Sequence, residues 1–183
     1  MRAQGRAHTA LAPEWMRRCD PKIAVAEDRA IFRGYEAAHI TGICEARNSV
    51  GVPLGASHAD YPLAVASAPT RLRDKGIECP FSVVLNEQLY KELSACTDGG
   101  YPIISHVRRL IEGGIVWAPG IDGGLVLSMR GGDFELSVGQ DFSIGYLQRD
   151  TERVRLYTEE SFTFLVLTEQ AAIPLSAEGC KER

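Results

Sequence analysis

The chain has 183 residues, of which 45% are hydrophobic, and a formal net charge of −4 at pH 7. This length fits one domain, or one domain with an arm, and the apolar fraction is too high for a disordered chain. The negative charge argues against general nucleic-acid binding, which usually needs a basic face. The sequence contains no run of about 18 apolar residues, so it predicts no membrane span. The N-terminus also lacks the apolar core of a secretory signal.

Cysteine and histidine usage gives no support for a disulfide framework or a metal site. The cysteine count is odd, no C-x-x-C pair occurs, and the histidines lie far from one another and from any cysteine pair. The residues are Cys19, Cys44, Cys79, Cys96 and Cys180, with His8, His39, His58 and His106. We therefore expect reduced thiols in a cytoplasmic protein and no bound metal.

Residues 1–22 differ from the rest of the chain. They carry five basic and two acidic residues without a clear period, which predicts a loose basic tail. Asp20 and Pro21 then predict the start of a helix, because aspartate is a good N-cap and proline suits the first helical position. Apolar residues recur at helical spacing from Ile23, and Gly34 is a plausible end of the helix.

The middle of the chain alternates helical and extended patterns. We predict a loop over 47–60, a helix over 62–76 that Pro69 should kink or split, a strand over 81–85, a helix that Asn86 caps, a loop over 96–102 and a helix over 104–113. From Ile115 onward, short apolar or alternating runs are separated by Gly, Asp and Pro, which is typical of a mostly antiparallel β-rich half. The predicted fold class is α+β.

The glycine-rich stretch 130–146 first suggests an ion or phosphate site. It lacks the GK of a phosphate loop and the G-x-G-x-x-G of a dinucleotide loop, and Asp133, Glu135 and Asp141 do not have calcium-loop spacing. Its apolar residues instead alternate with polar ones at period two, which predicts two strands. Gly139-Gln140 lies between them and could reverse the chain. The alternating apolar positions are Phe134, Leu136, Val138, Phe142, Ile144 and Tyr146.

The residue patterns that would indicate catalysis are weak. The chain has no G-x-S-x-G elbow. Cys96 and His106 could be drawn as a nucleophile–base pair, but we interpret them as a loop thiol and a helix-surface histidine. Glu159 and Glu160 are adjacent on a predicted strand, so their side chains should point to opposite faces and not share a substrate.

Five blocks of the sequence resemble the type 1 encapsulins, the linocin-type bacteriocin family of bacterial shell proteins. They are AVAEDRAIFRGY, GIECPFSVVLN, DGGYPIISHVRRL, GGIVWAPGIDGGLVLSMRGGDFELSVGQDFSIGY and RVRLYTEESFTFLVLT. They occur in family order between about residues 23 and 175. The resemblance implies the fold of tailed-bacteriophage major capsid proteins and self-assembly into an icosahedral cage, without catalysis. Such a cage encloses cargo, typically a dye-decolourising peroxidase or a ferritin-like iron oxidase, which docks through a C-terminal peptide.

The resemblance also implies a division of the chain and two sites. The expected segments are an unmatched leader over 1–22, the end of the spine helix and a connection over 23–61, an axial domain over 62–129, a β-rich return to the peripheral domain over 130–175 and a tail over 176–183. Asp141, Phe142, Ile144 and Tyr146 would contact the cargo peptide, although these residues could equally pack the sheet. The residues expected to line a pore are Cys96, Thr97, Asp98, Gly99, Gly100 and Tyr101.

The sequence departs from the family pattern at its N-terminal end. No N-terminal helix and no extended loop are recognisable, which suggests a truncated or mis-started chain. A flavin site of some relatives lies in that missing part, so we expect no cofactor. Two alternatives remain open: a phage or prophage capsid fragment with the same fold, and a hydrolase or peptidase that uses Cys96 or a serine.

Overall fold

The structure, a computed structural model, describes residues 16–46, 50–55 and 57–176, with side chains from Lys22 onward except that of Asp98. The α-helices are α1 (Met16–Arg33), α2 (Ile43–Ala46), α3 (Tyr61–Asp74), α4 (Glu87–Ala95) and α5 (Ile103–Leu110). The strands are β1 (Val52–Pro53), β2 (Phe81–Leu85), β3 (Thr97–Asp98), β4 (Tyr101–Pro102), β5 (Ile115–Trp117), β6 (Gly124–Ser128), β7 (Phe134–Arg149), β8 (Val154–Val166) and β9 (Ala172–Ser176). Short 3-10 helices cover Glu36–Ala38, His58–Asp60 and Glu169–Ala171. The expectations for residues 1–15 and 177–183 lie outside the described residues.

A mixed five-stranded sheet in the order β1-β9-β6-β2-β5 forms the centre of the fold. Strand β2 pairs antiparallel with β6 and parallel with β5, whereas β9 pairs antiparallel with β6 and parallel with β1. All five residues of β2 are buried, as expected for a strand whose two faces are both covered. The sheet therefore joins strands from both halves of the chain, and its composition confirms the α+β class.

Two hydrophobic cores cover the two faces of this sheet. Val83 belongs to the core formed with α3, α4 and α5, and the next residue, Val84, belongs to the core formed with α1, α2 and Phe164. This split follows from the alternation of side chains along a strand. Arg33, at the end of α1, donates to the carbonyl oxygen of Gly120 at 2.9 Å and pairs with Asp122 at 2.6 Å, which anchors α1 to the loop before β6.

Most local predictions for the helical half are confirmed. Asn86 caps α4, and its Oδ1 atom accepts from the backbone N–H of Leu89 at 2.8 Å. Gly34 follows α1 with φ +81°. Helix α1 begins at Met16 rather than at Pro21, so the proline lies inside the helix, and α3 continues through Pro69 without being split. The side chain of Pro69 is buried in the helix face that packs on the sheet, which offsets the lost backbone hydrogen bond.

Strands β7 and β8 form a separate two-stranded antiparallel hairpin, which we call the arm (Phe134–Val166). The predicted reversal at Gly139-Gln140 is wrong: β7 is one strand of 16 residues, with register shifts between Val138 and Gln140 and between Gln140 and Ser143. The chain reverses at Asp150 instead, whose Oδ1 atom accepts from the N–H groups of Glu152 and Arg153. An aspartate that satisfies two turn amides specifies a reversal more strongly than Gly-Gln does.

Candidate functional site

The arm exposes large apolar side chains on both of its faces. Leu156 and Tyr157 are adjacent in a regular part of the register, so they point to opposite faces, and each is 42% exposed. The other exposed apolar residues of the arm are Leu136, Val138, Tyr146, Leu147, Val154 and Leu165. The arm packs on the core mainly at its base, where the rings of Phe134 and Phe164 stack at 6.4 Å. A surface this apolar on a projecting hairpin is typical of a contact with another protein.

The segment predicted to contact a cargo peptide lies in the middle of β7. Phe142 and Ile144 are half-buried, Tyr146 is exposed, and Asp141 is exposed with its Oδ1 atom accepting from the N–H of Phe142 at 2.7 Å. Ile144 and Tyr146 are two residues apart on one strand and therefore share a face. Ile144 and Tyr146 thus form a short apolar strip, with Phe142 and Ile144 partly used in packing and Asp141 exposed further along the same strand.

A group of carboxylates lies where α1 passes the arm. Burial raises the pKa of the Glu27 carboxyl, and the negative charges of Glu160, Asp28 and Asp141 raise it further. Burial also raises the pKa of the Asp28 carboxyl, whereas a hydrogen bond from the Gly120 backbone acts to lower it. The arm and α1 are therefore acidic where they meet.

The root of the arm is held by an ion pair between an exposed arginine and a buried aspartate, which the sequence did not lead us to predict. The side chain of Asp133 is 3% exposed, and Arg130 donates to its two oxygens from Nε at 3.0 Å and from a terminal nitrogen at 2.8 Å. The other terminal nitrogen of Arg130 donates to the carbonyl oxygen of Gly76 at 3.1 Å. The sequence does place Arg130 and Asp133 on either side of Gly131-Gly132, a spacing that allows the two side chains to meet.

The loop predicted to line a pore is a tight hairpin between α4 and α5. Strands β3 and β4 pair across Gly99 and Gly100, which have φ of +55° and +86°. Cys96 is half-buried, Thr97 and both glycines are exposed, and Tyr101 projects into solvent. The side chain of Asp98 lies outside those the structure describes. Both glycines adopt a conformation that residues with a Cβ rarely take, so the hairpin depends on them.

The residues considered for catalysis do not form a site. The ring of His106 packs edge-on against Tyr101 at 6.5 Å, and its Nε2 atom is buried without a hydrogen-bond partner among the described residues, so it does not activate Cys96. Within residues 16–46, 50–55 and 57–176, no three His, Cys, Asp or Glu side chains are grouped to hold a metal ion. In the same part of the chain, no helix is both long and apolar enough to cross a membrane.

Comparison with known proteins links these features to shell-forming proteins. The model of a family described as "Encapsulating protein for peroxidase" (Linocin M18) matches residues 6–163. The chain is 51% identical over 154 residues to a type 1 encapsulin shell protein of Rhodospirillum rubrum and 48% identical over 155 residues to one of Rhodococcus erythropolis. These matches cover 84% and 85% of the chain but 55% and 59% of the relatives, so the chain spans little more than half their length.

Two solved structures resemble the chain at low sequence identity. The virus-like particle of Pyrococcus furiosus matches with a TM-score of 0.64 at 14% identity, covering 84% of this chain and 63% of that one. The capsid of an empty GTA particle matches with a TM-score of 0.55 at 13% identity, covering 92% and 67%. At these identities the likeness shows a shared fold, and the predicted capsid-type fold is confirmed.

Proposed function

The chain belongs to the type 1 encapsulin family, and from this premise we propose that it is a structural subunit of a protein cage in the cytoplasm and carries no catalytic site. Copies of the chain would join one another and enclose a cargo enzyme. The observation that carries this proposal is the arm, whose two faces both expose large apolar side chains.

Physical reasoning supports an assembled state of the arm. A two-stranded hairpin is at best marginally stable in water unless further strands or a packed face support it. Beyond its base, the arm has few such supports within the chain, and both of its edges are unpaired in the two-stranded sheet. A neighbouring copy that covers the apolar faces and edges would remove this exposure, as closed symmetric assemblies do.

Size-exclusion chromatography and electron microscopy of the purified chain test the proposal. We expect large closed particles, and a monodisperse monomer at high concentration would contradict self-assembly. Leu147→Glu in the arm should abolish particles because it places a charge in the proposed contact. The matched control is Leu63→Glu, since Leu63 is 75% exposed but lies on α3. Equal loss in both variants would show that the arm is not the decisive surface.

Cargo docking is the second part of the proposal. The segment with Asp141, Phe142, Ile144 and Tyr146 would receive a C-terminal peptide of the cargo, for which a peroxidase or a ferritin-like iron oxidase is the candidate. Its support is the apolar strip formed by Ile144 and Tyr146 beside the exposed Asp141. The acidic surroundings of Glu27 favour a peptide that carries basic residues.

The third part of the proposal concerns the β3–β4 hairpin. Residues 62–129 would form the axial part of the subunit, with β1 and β9 completing its sheet, and the hairpin would line a pore on a symmetry axis. Its support is the exposure of Thr97, Gly99, Gly100 and Tyr101 next to the half-buried Cys96. A ring of Asp98 carboxylates would favour cations in the pore. Asp98→Lys should therefore slow metal-ion entry into intact particles, and unchanged entry would contradict this role.

A further inference from the structure

The connections that join the arm to the central sheet meet at Asp133. Its backbone oxygen accepts from the N–H of Leu167 at 2.9 Å and from that of Thr168 at 3.1 Å, on the return connection from β8 to β9. Its carboxylate receives the two hydrogen bonds from Arg130 and further ones from the hydroxyls of Ser128 and Thr168. One buried residue thus ties the outgoing and returning chains together.

Few atoms restrict the backbone of the connection that leads from β6 out to the arm. Gly131 and Gly132 have φ of +86° and +79°, and a Cβ atom on either would meet no other atom within 4 Å. Two consecutive glycines in open space can adopt many backbone conformations. The polar contacts of Arg130 and Asp133 therefore select one of them.

We infer that Arg130 and Asp133 are positioning residues that fix the direction of the arm relative to the central sheet, and that this direction sets the geometry in which copies join. The second half of this inference rests on the proposed function. The planar guanidinium joins two segments, because it binds Asp133 with two nitrogens and the Gly76 carbonyl, on the connection from α3 to β2, with the third. A bidentate arginine–carboxylate pair restricts angle as well as distance.

The length of the arm makes this angle matter. A strand of 16 residues spans roughly 50 Å at about 3.4 Å per residue. A tilt of about 10° at the root therefore moves the far end by roughly 9 Å, which is about the spacing of two packed sheets. A displacement of that size would place the exposed side chain of Leu147 against a different part of a neighbouring copy.

Hydrogen exchange of the unassembled chain tests the local claim. In Asp133→Asn and in Arg130→Gln, the amides of Leu167 and Thr168 should exchange at least tenfold faster, while the core amides of Val83 and Ala118 stay unchanged. The effect of the double variant should be smaller than the product of the two single effects, because both single variants remove the Arg130–Asp133 contact. Arg109→Gln is the matched control, since Arg109 is exposed on α5. Wild-type exchange rates in a folded variant would overturn the inference.

A second variant guards against general unfolding. Arg130→Lys keeps the positive charge but cannot bind the carboxylate with two nitrogens. It should speed exchange at Leu167 and Thr168 less than Arg130→Gln does. If exchange of the core amides becomes faster by the same factor as exchange at Leu167 and Thr168 in all three variants, the pair holds the whole domain. That result also overturns the inference.

Electron microscopy of assembled material tests the geometric claim. Particles of Asp133→Asn should have a broader distribution of diameters than wild type, or a lower yield. Particles of wild-type diameter and yield, together with fast exchange at the root, would show that the pair holds the root but does not set the assembly geometry. A wild-type chain that remains monomeric would refute the proposed function, whereas the exchange rates would still decide the role of the pair at the root.

Discussion

The ring of Tyr157 lies over Gly145, its partner across the arm. A Cβ atom placed on Gly145 would be 2.1 Å from Cζ of that ring. An aromatic ring folded over a cross-strand glycine covers backbone that would otherwise be exposed, and such pairs stabilise sheets. The lack of a side chain at Gly145 therefore makes room for the tyrosine ring opposite.

Gly145→Ala should destabilise the arm by roughly 0.5–1 kcal/mol, because the methyl group displaces the Tyr157 ring. In a Tyr157→Ala background the same change should be neutral or slightly stabilising, since alanine is better than glycine in a strand. Urea unfolding of the four variants measures the coupling. A cost of Gly145→Ala that does not depend on Tyr157 would contradict the contact.

The cap of α4 gives a second prediction. Asn86→Ala should lower the free energy of unfolding by about 1 kcal/mol, because the N–H of Leu89 loses its side-chain acceptor. Asn86→Asp keeps an acceptor and should cost less. Thermal unfolding followed by circular dichroism distinguishes the two, and equal losses would show that the cap bond contributes nothing.

The predictions from sequence succeeded where the signal is local. The strand over Phe81–Leu85, the Asn86 cap and the helix α5 each depend on a few neighbouring residues, and the structure contains them. The family resemblance supplied the overall fold, which no local pattern could indicate because β9 joins a sheet whose other strands lie far away in sequence.

The features of the arm that were missed depend on contacts distant in sequence. The alternation over 134–146 correctly indicated extended chain, but it could not say whether one strand or two were present. The turn is set by Asp150, and the partner strand β8 begins more than ten residues after the predicted reversal at Gly139-Gln140. Asp133 was read as a polar residue of a strand, whereas its burial depends on Thr168 and Gly76 coming to the same place.

The Asp133 carboxylate should make the free energy of unfolding depend on pH. Burial would raise its pKa, but the hydrogen bonds from Arg130, Ser128 and Thr168 outweigh burial and hold the pKa below its ordinary value of 3.8. A folded-state pKa below the unfolded one gives stability that is fully present above about pH 4 and is lost as pH falls through the folded pKa. Asp133→Asn should therefore cost about 1.5–3 kcal/mol at pH 7.

The measurement is the difference in unfolding free energy between wild type and Asp133→Asn from pH 7 down to pH 2. This difference should shrink as pH falls below about 4, because the carboxyl of the unfolded chain takes up its proton first and that of the folded chain follows at lower pH. A difference that stays constant over this range would show that the charge of Asp133 is not what holds the root.

Removing the charge of Glu27 should change the free energy of unfolding in the opposite direction to removing that of Asp133. Its pKa is raised by burial and by the charges of Glu160, Asp28 and Asp141, so the ionised form is unfavourable in the folded chain. Glu27→Gln should increase stability by a few tenths of a kcal/mol at pH 7, the size of one like-charge contact. The gain should vanish as pH falls and the wild-type carboxyl takes up its proton. A loss of stability at pH 7 would contradict this account of the α1–arm contact.

Peptide docking can be separated from folding by comparing two tyrosines on opposite faces of the arm. Tyr146 pairs with Leu156 and Tyr157 with Gly145, and neighbouring pairs point to opposite faces. Tyr146→Ala should weaken binding of a synthetic cargo C-terminal peptide about tenfold, since an exposed aromatic anchor often contributes more than 1 kcal/mol to an interface. Its melting temperature should stay close to wild type because Tyr146 is already 63% exposed. Tyr157→Ala should leave peptide affinity unchanged, as measured by fluorescence anisotropy, and an equal loss in both variants would refute docking on the Tyr146 face.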